Sequence, residues 1–122
     1  MTTPTGRFRR ADRLLHSRDF RRVAGRGKRA AGRYFVVLMA PAPPRLEQEV
    51  VRLGITVSRQ VGGAVVRNRL KRWIRVWFRE ARSGLEPGMD LVVIARRGAA
   101  DLPLARVWES LEGLVESVGA KP

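Results

Sequence analysis

The sequence contains no cysteine, and its 122 residues include a single histidine, His16. Without cysteine, the fold has neither a disulfide framework nor a thiolate metal site. No apolar run approaches the roughly 20 residues that span a bilayer, and the first 15 residues, MTTPTGRFRRADRLL, lack the apolar core of a secretory signal. The length of 122 residues predicts a single domain with a core of its own. The absences predict a cytoplasmic protein with no membrane partner.

Acidic side chains are also scarce. The chain has 11 Asp and Glu against 25 Lys and Arg, which gives a formal net charge of +14. The excess is segregated, because residues 1–82 hold 21 basic and 5 acidic side chains while residues 83–122 hold 4 and 6. Solubility requires neither one sign of charge nor this segregation. A basic chain with clustered charge is typical of a nucleic-acid-binding protein.

Few residues are suited to catalysis. A lone histidine near a helix start is far more often a surface or capping residue than a general base, and no serine lies in a nucleophile-elbow pattern. Glu109, Glu112 and Glu116 recur at helical spacing. Such a stripe is typical of a solvated helix face, although carboxylates can in principle hold a hard cation. We therefore expect no active site and no metal held by the protein itself.

Hydrophobic periodicity predicts the order helix, strands, helix, strand, helix. A short first helix begins near Ser17 and ends at Gly25 or Gly27. Residues 33–40 and 50–58 have strand composition, and in the second of these runs alternate residues share one apolar face: Val51, Leu53, Ile55 and Val57. Residues 89–97 predict a buried strand, and Asp101 is the expected N-cap of a last amphipathic helix. The order favours an α+β or α/β sandwich with helices covering a sheet.

The stretch from Ala64 to Gly84 predicts a longer amphipathic helix. Its apolar residues recur at steps of three and four: Val66, Leu70, Trp73, Ile74, Trp77, Phe78 and Ala81. Polar and basic residues fall on the opposite side: Asn68, Lys71, Arg72, Arg75, Arg79 and Arg82. We expect a core helix whose outer face neutralises phosphates.

Three aromatic residues outside that helix are candidate stacking surfaces for unpaired bases: Phe20, Tyr34 and Phe35. Core packing explains them equally well. Because Tyr34 and Phe35 are neighbours on one predicted strand, at least one of them should face away from the core.

Residues 53–80, LGITVSRQVGGAVVRNRLKRWIRVWFRE, closely resemble the signature of the bacterial ribonuclease P protein component. In that family a strand ending in Val-Ser/Ala-Lys-Lys precedes a Gly, an Ala and the run Arg-Asn-Arg-x-Lys-Arg-x-x-Arg. Arg67-Asn68-Arg69, Lys71-Arg72 and Arg75 match that run in type and spacing. The resemblance covers about residues 7–118.

The resemblance implies an α+β fold of order α-β-β-β-α-β-α. This fold is a two-layer sandwich with a left-handed β-α-β crossover, similar to a ribosomal protein domain. It would occupy residues 13–119, after a flexible basic arm at residues 1–12. In the family, a catalytic RNA uses Mg²⁺ to remove the 5′ leader of precursor tRNA. The protein binds both RNAs and raises the affinity for substrate and Mg²⁺, with no obligate protein partner and no bound cofactor of its own.

The resemblance also implies which residues contact RNA. On and before the long helix these are Arg59, Arg67, Asn68, Arg69, Lys71, Arg72 and Arg75. The cationic face of the same helix adds Arg79 as an expected RNA contact. Phe20 matches an aromatic of the leader cleft, to which we assign Tyr34 and Phe35 as well. Gln60, Ala24 and Leu38 depart from the family pattern, and they concern the cleft rather than the helix motif.

Two other classes of protein remain as alternatives. Composition alone also fits a ribosomal or general RNA- or DNA-binding module without an enzyme partner, and only the pattern at residues 53–80 separates the two. An autonomous nuclease would need a cluster of carboxylates or histidines at metal-ligand spacing, which the sequence lacks.

Overall fold

A computed structural model describes residues 17–43, 51–85 and 87–118. The predicted basic arm at residues 1–12, His16, and most of the loop at residues 41–49 lie outside the described residues. None of the described helices is long and apolar enough to cross a membrane.

The described elements are three helices and four strands. In chain order they are α1 (Ser17–Arg26), β1 (Lys28–Ala31), β2 (Phe35–Pro41), β3 (Arg52–Thr56), α2 (Ala64–Ala81), β4 (Met89–Ala95) and α3 (Leu104–Ser117). Short 3-10 helices follow α2 at Arg82–Gly84 and precede α3 at Arg97–Asp101. This order confirms the fold class and the sequence of elements expected above.

The sheet has the strand order β1-β2-β4-β3. Strand β2 runs antiparallel to both β1 and β4, whereas β3 and β4 are parallel. Parallel neighbours need a crossover connection, and α2 supplies it between β3 and β4. The left hand of this crossover, which the resemblance implies, stays a prediction.

The main core lies between one face of the sheet and the helices α2 and α3. From α2 it buries Leu70, Ile74, Trp77 and Phe78, and from α3 it buries Val107, Leu111 and Val115. Val51, Leu53 and Val57 are buried in the same cluster, and Ile55 packs against it. The helical spacing of the two helices and the alternation around β3 are therefore confirmed.

A smaller core lies on the other face of the sheet, where α1 packs. There Val23 of α1 is fully buried against alternate residues of β2 and β4: Val36, Leu38, Ala40 and Val92. The two-layer arrangement thus holds for the larger core, and α1 adds a short third layer. Residues 35, 37 and 39 of β2 face one core and residues 36, 38 and 40 face the other, which is why this strand is apolar throughout.

Helix α3 begins later than the sequence signal suggested. Its N-cap position is occupied by Pro103, in extended conformation, and no side chain caps it. The prediction that Asp101 caps this helix is wrong, because Asp101 ends the preceding 3-10 helix.

Trp77 joins the two helices of the main core and gives a test of its packing. Its side chain is 1% exposed, and its Nε1 donates to Glu112 Oε1 of α3 at 3.0 Å. We expect Trp77→Ala to lower the free energy of unfolding by about 3–5 kcal/mol, since it opens a large cavity. Urea unfolding followed by circular dichroism measures this.

The matched control is Leu104→Ala, because Leu104 is 41% exposed. A surface change of this kind is expected to alter the free energy of unfolding by no more than about 0.5 kcal/mol. Equal effects of the two substitutions would contradict the placement of Trp77 in the core.

Candidate nucleic-acid interface

The outer face of α2 carries the cationic residues expected from the sequence, and these residues differ in their exposure to solvent. Asn68 and Arg72 are exposed, as is Arg59 in the turn that follows β3. The other basic residues of the motif are half-buried: Arg67, Arg69, Lys71, Arg75 and Arg79. The Nε atoms of Arg67 and Arg79 are buried without a hydrogen-bond partner among the described residues. Their stems therefore lie along the protein surface, as long basic side chains commonly do.

The N-terminus of α2 is electrostatically unusual. Gly63 occupies the N-cap without a side-chain hydrogen bond, and the first turn contains no acidic residue. The first amide N–H groups of a helix lack intrahelical partners and carry a partial positive charge. Basic residues such as Arg67 add to that charge instead of offsetting it. A phosphate at this end would relieve the repulsion, so the local sequence suits an anionic ligand.

Arg69 differs from its neighbours because it is already bonded within the protein. Its Nη2 donates to the carbonyl oxygen of Ala100 at 2.7 Å, and its guanidinium carbon lies 5.2 Å from the centroid of the Trp73 ring. The hydrogen bond to Ala100 fastens α2 to the 3-10 helix before α3, whereas the contact with Trp73 lies within α2. Arg69 therefore has a packing role that the sequence did not reveal, whereas Arg72 on the same helix is exposed.

The structure corrects the set of aromatic residues assigned to a leader cleft. Phe35 has no exposed area and lies in the main core, so its prediction as a stacking surface is wrong. Tyr34 is half-buried against that same core, and its ring lies next to Gly98. Phe20, a residue of α1, is half-buried on the opposite face of the sheet. Of these three aromatics, only Phe20 lies on the side of the sheet where α1 packs.

A second group of basic residues, not singled out from the sequence, lies where β4 ends and β2 begins. Arg33, Arg96 and Arg97 are exposed there. Arg96 Nη1 donates to the carbonyl oxygen of Gly32 at 2.6 Å, and the Arg33 guanidinium lies 5.6 Å from the Tyr34 ring centroid.

The position of these arginines follows from the sheet. Because Thr56 pairs with Ile94, β3 and β4 end at the same edge, and Arg59 and Arg96 leave the sheet there. The start of α2 follows Arg59 by a few residues, so its cationic face begins at this edge. In the sequence, the available signal was that Arg59 follows β3 closely and Arg96 follows β4 closely. Only the parallel pairing of the two strands brings their ends together.

Comparison with known proteins identifies the family that shares this architecture. A family model described as Ribonuclease P matches residues 8–119. The ribonuclease P protein component of Geobacillus kaustophilus is 40% identical over 107 residues, which cover 88% of this chain and 86% of that protein. The one from Shouchella clausii is 40% identical over 109 residues, covering 89% and 87%. The chain belongs to the ribonuclease P protein family.

Solved structures agree with this assignment. The Staphylococcus aureus RNase P protein superposes with a TM-score of 0.82 at 34% identity, covering 93% of this chain and all of that one. The Thermotoga maritima RNase P protein gives a TM-score of 0.75 at 35% identity, covering 87% and 96%. Membership confirms the resemblance seen at residues 53–80 and decides against a general or ribosomal nucleic-acid binder. A ribonuclease P protein is an RNA-binding subunit of an endoribonuclease that acts in tRNA processing.

The exposed position of Arg72 gives a test of the α2 face. If Arg72 contacts one phosphate, Arg72→Ala will weaken binding to ribonuclease P RNA and reduce the slope of log K against log salt by about 1. The reason is that one fewer counterion is released on binding. Binding titrations over a range of KCl concentrations measure both quantities.

Arg106→Ala is the control, since Arg106 is exposed on α3 and its substitution removes the same charge as Arg72→Ala. Its salt slope should match that of the unaltered protein. Identical slopes for Arg72→Ala and Arg106→Ala would show that Arg72 does not contact a phosphate and would contradict its place in the RNA surface.

Proposed function

We propose that this chain is a non-catalytic subunit of ribonuclease P, which binds the catalytic RNA and the 5′ leader of precursor tRNA in the cytoplasm. Binding of both RNAs raises the affinity for substrate and Mg²⁺. The RNA hydrolyses the phosphodiester bond.

One observation carries this proposal furthest: the cationic outer face of α2, with an uncapped helix N-terminus at one end. Two polyanions repel each other, and a protein with a net charge of +14 that contacts both reduces the repulsion. The benefit is expected to be largest at low Mg²⁺ and low salt, where the charges are least screened. The same reasoning predicts little effect on the chemical step once Mg²⁺ is saturating.

The leader is assigned to the groove beside α1 on the sheet face opposite α2 and α3. Phe20 on α1 is half-buried there, and the sheet beside it presents the half-buried Ile94 and the exposed Thr56. An aromatic ring next to a mixed surface suits an unpaired strand, because each base has a face that stacks regardless of sequence.

The described residues do not bring together side chains that could hold a metal ion. No group of three or more His, Cys, Asp and Glu lies together within residues 17–43, 51–85 and 87–118 in a way that would hold a metal ion. The two buried carboxylates in that part of the chain, Asp19 and Asp90, are both paired with arginines. Both observations support assigning the Mg²⁺ ions of the reaction to the RNA subunit.

The test is cleavage of a precursor tRNA with a 5′ extension by the ribonuclease P RNA of the same organism, with and without this protein. We expect strong stimulation at low Mg²⁺, falling as Mg²⁺ is raised, because Mg²⁺ and the protein then screen the same repulsion. The protein alone, freed of RNA, should leave the substrate intact.

Two outcomes would contradict the proposal. Cleavage by the RNA-free protein would show an active site of its own. Stimulation that is the same at all Mg²⁺ concentrations would mean that the protein acts on the chemical step and not on affinity.

A further inference from the structure

Four charged side chains join α1 to the sheet in a cluster that we call the α1 ion cluster: Asp19, Arg22, Arg52 and Asp90. Arg52 of β3 binds Asp90 of β4 through two hydrogen bonds, Nε to Oδ1 at 2.8 Å and Nη2 to Oδ2 at 2.7 Å. These bonds raise the pKa of the Arg52 guanidinium above its usual value. Asp90 is fully buried, so its charge depends on these partners.

Helix α1 contributes two of the four side chains. Arg22 donates from Nη2 to Asp90 Oδ2 and from Nη1 to the carbonyl oxygen of Pro41, the latter at 2.7 Å. Asp19 accepts from Arg52 Nη2 at 3.3 Å and is 4% exposed. The cluster contains two acids and two bases, so it adds no net charge to the protein.

The ion cluster carries much of the attachment of α1, because the apolar contacts of the helix are few. Among residues 18–26, Val23 is the one apolar side chain that is fully buried, and Phe20 is half-buried. With ten residues, α1 is shorter than the roughly 12–15 at which an isolated helix becomes even marginally stable in water. Its position therefore depends on contacts with the sheet.

The two ends of α1 are held differently. At the C-terminal end, Gly27 lies so close to β2 that an added Cβ would come within 2.6 Å of the Met39 carbonyl oxygen, and the chain enters β1 one residue later. At the other end, Asp19 reaches Arg52 of the opposite edge strand. Ten helical residues span about 15 Å, which matches the three strand spacings of about 4.8 Å from β1 to β3. Helix α1 thus crosses the sheet at one end of its strands.

Because α1 crosses the sheet at one end of the strands, the other end of the same sheet face lies beside the helix and not under it. Asp90 marks the covered end of β4, and Ile94 lies four residues further along, or about 13 Å. Ile94 and its ladder partner Thr56 remain half-buried and exposed, respectively. Phe20 neighbours Asp19 on the wall of α1 that borders this region. A rotation of α1 about Gly27 would change the position of Phe20 relative to the cluster against which both it and Ile94 pack.

We propose that the α1 ion cluster sets the width of the leader groove, and that Asp19 and Arg22 are positioning residues for the 5′ leader. This inference rests on the proposed function, since it takes the groove beside α1 as the leader site. The cluster does not touch the leader. It fixes the position of Phe20, which packs against the apolar cluster on this face of the sheet, and so fixes the border of the groove.

The test uses the double variant Asp19→Asn/Arg22→Gln. It removes both α1 contributions, leaves the bidentate Arg52–Asp90 pair in the sheet, and keeps the net charge at +14. The matched control is Arg106→Gln/Glu109→Gln, which removes another pair three residues apart on a helix, also without changing the net charge. That pair lies 3.5 Å apart on α3 with side chains 57% and 76% exposed.

The decisive quantity is the ratio of the dissociation constants for mature tRNA and for precursor tRNA, each measured with the complex of ribonuclease P RNA and protein. We expect the α1 double variant to lower this ratio by about tenfold, the scale of one lost base–aromatic stack. Its affinity for ribonuclease P RNA and for mature tRNA should be unchanged. The α3 control should keep the full ratio.

Hydrogen exchange of the α1 amides gives a second readout that does not depend on RNA. We expect faster exchange in α1 of the double variant, with the amides of α2 and β4 still protected. The single variant Arg22→Lys keeps the positive charge beside Asp90. Its ratio of dissociation constants should therefore lie between that of the unaltered protein and that of the double variant.

The outcomes separate the two proposals. If the unaltered protein gives no advantage to precursor over mature tRNA, the proposed function fails. If it does and the α1 double variant keeps that advantage, the positioning role of the ion cluster fails while the proposed function stands. A double variant that loses protection throughout the chain would also overturn the inference, because the cluster would then stabilise the whole fold and not the groove.

Discussion

The rest of the structure depends on the two faces of α2. Its apolar face must cover the sheet, since β3 and β4 are parallel neighbours that bury a continuous apolar surface. The same 18 residues carry the basic side chains on the other face. The proposed function therefore assigns stability and RNA affinity to different sides of one helix, so that Trp77 and Arg72 can be altered independently. Arg69 lies at the border between the two faces, where it packs on Trp73 and bonds to Ala100.

The opposite face of the sheet is built by other means. Helix α1 is short and basic, with little apolar surface to bury, and its attachment relies on paired charges. Buried ion pairs are less favourable than apolar packing for stability alone, but each partner requires the other in one geometry. A helix attached in this way has a defined position with a modest contact area. That combination fits an element that borders a groove and must leave the groove open.

The sequence predicted the elements with strong periodicity. The apolar spacing of α2 and the alternation from Val51 to Val57 both hold in the structure, because these patterns are set by backbone geometry within one segment. Strand β1, with the sequence KRAA, has no such pattern: it is a short edge strand, exposed at three of its four residues. Its presence was expected only from the family resemblance. Likewise, Asp101 is of a residue type that commonly caps helices, but α3 begins after Pro103.

By itself, the sequence determined that the chain has a basic helix face, an apolar core and no disulfide, because composition and local spacing suffice for each. Only the tertiary structure decided which residues meet. Arg52 and Asp90 are 38 residues apart, and the pairing of β3 with β4 brings them together. The alternation of β2 turns Phe35 into the main core, and the packing of α1 places Phe20 on the other face of the sheet. Such contacts depend on strand order and register, which arise from the packing of the whole chain.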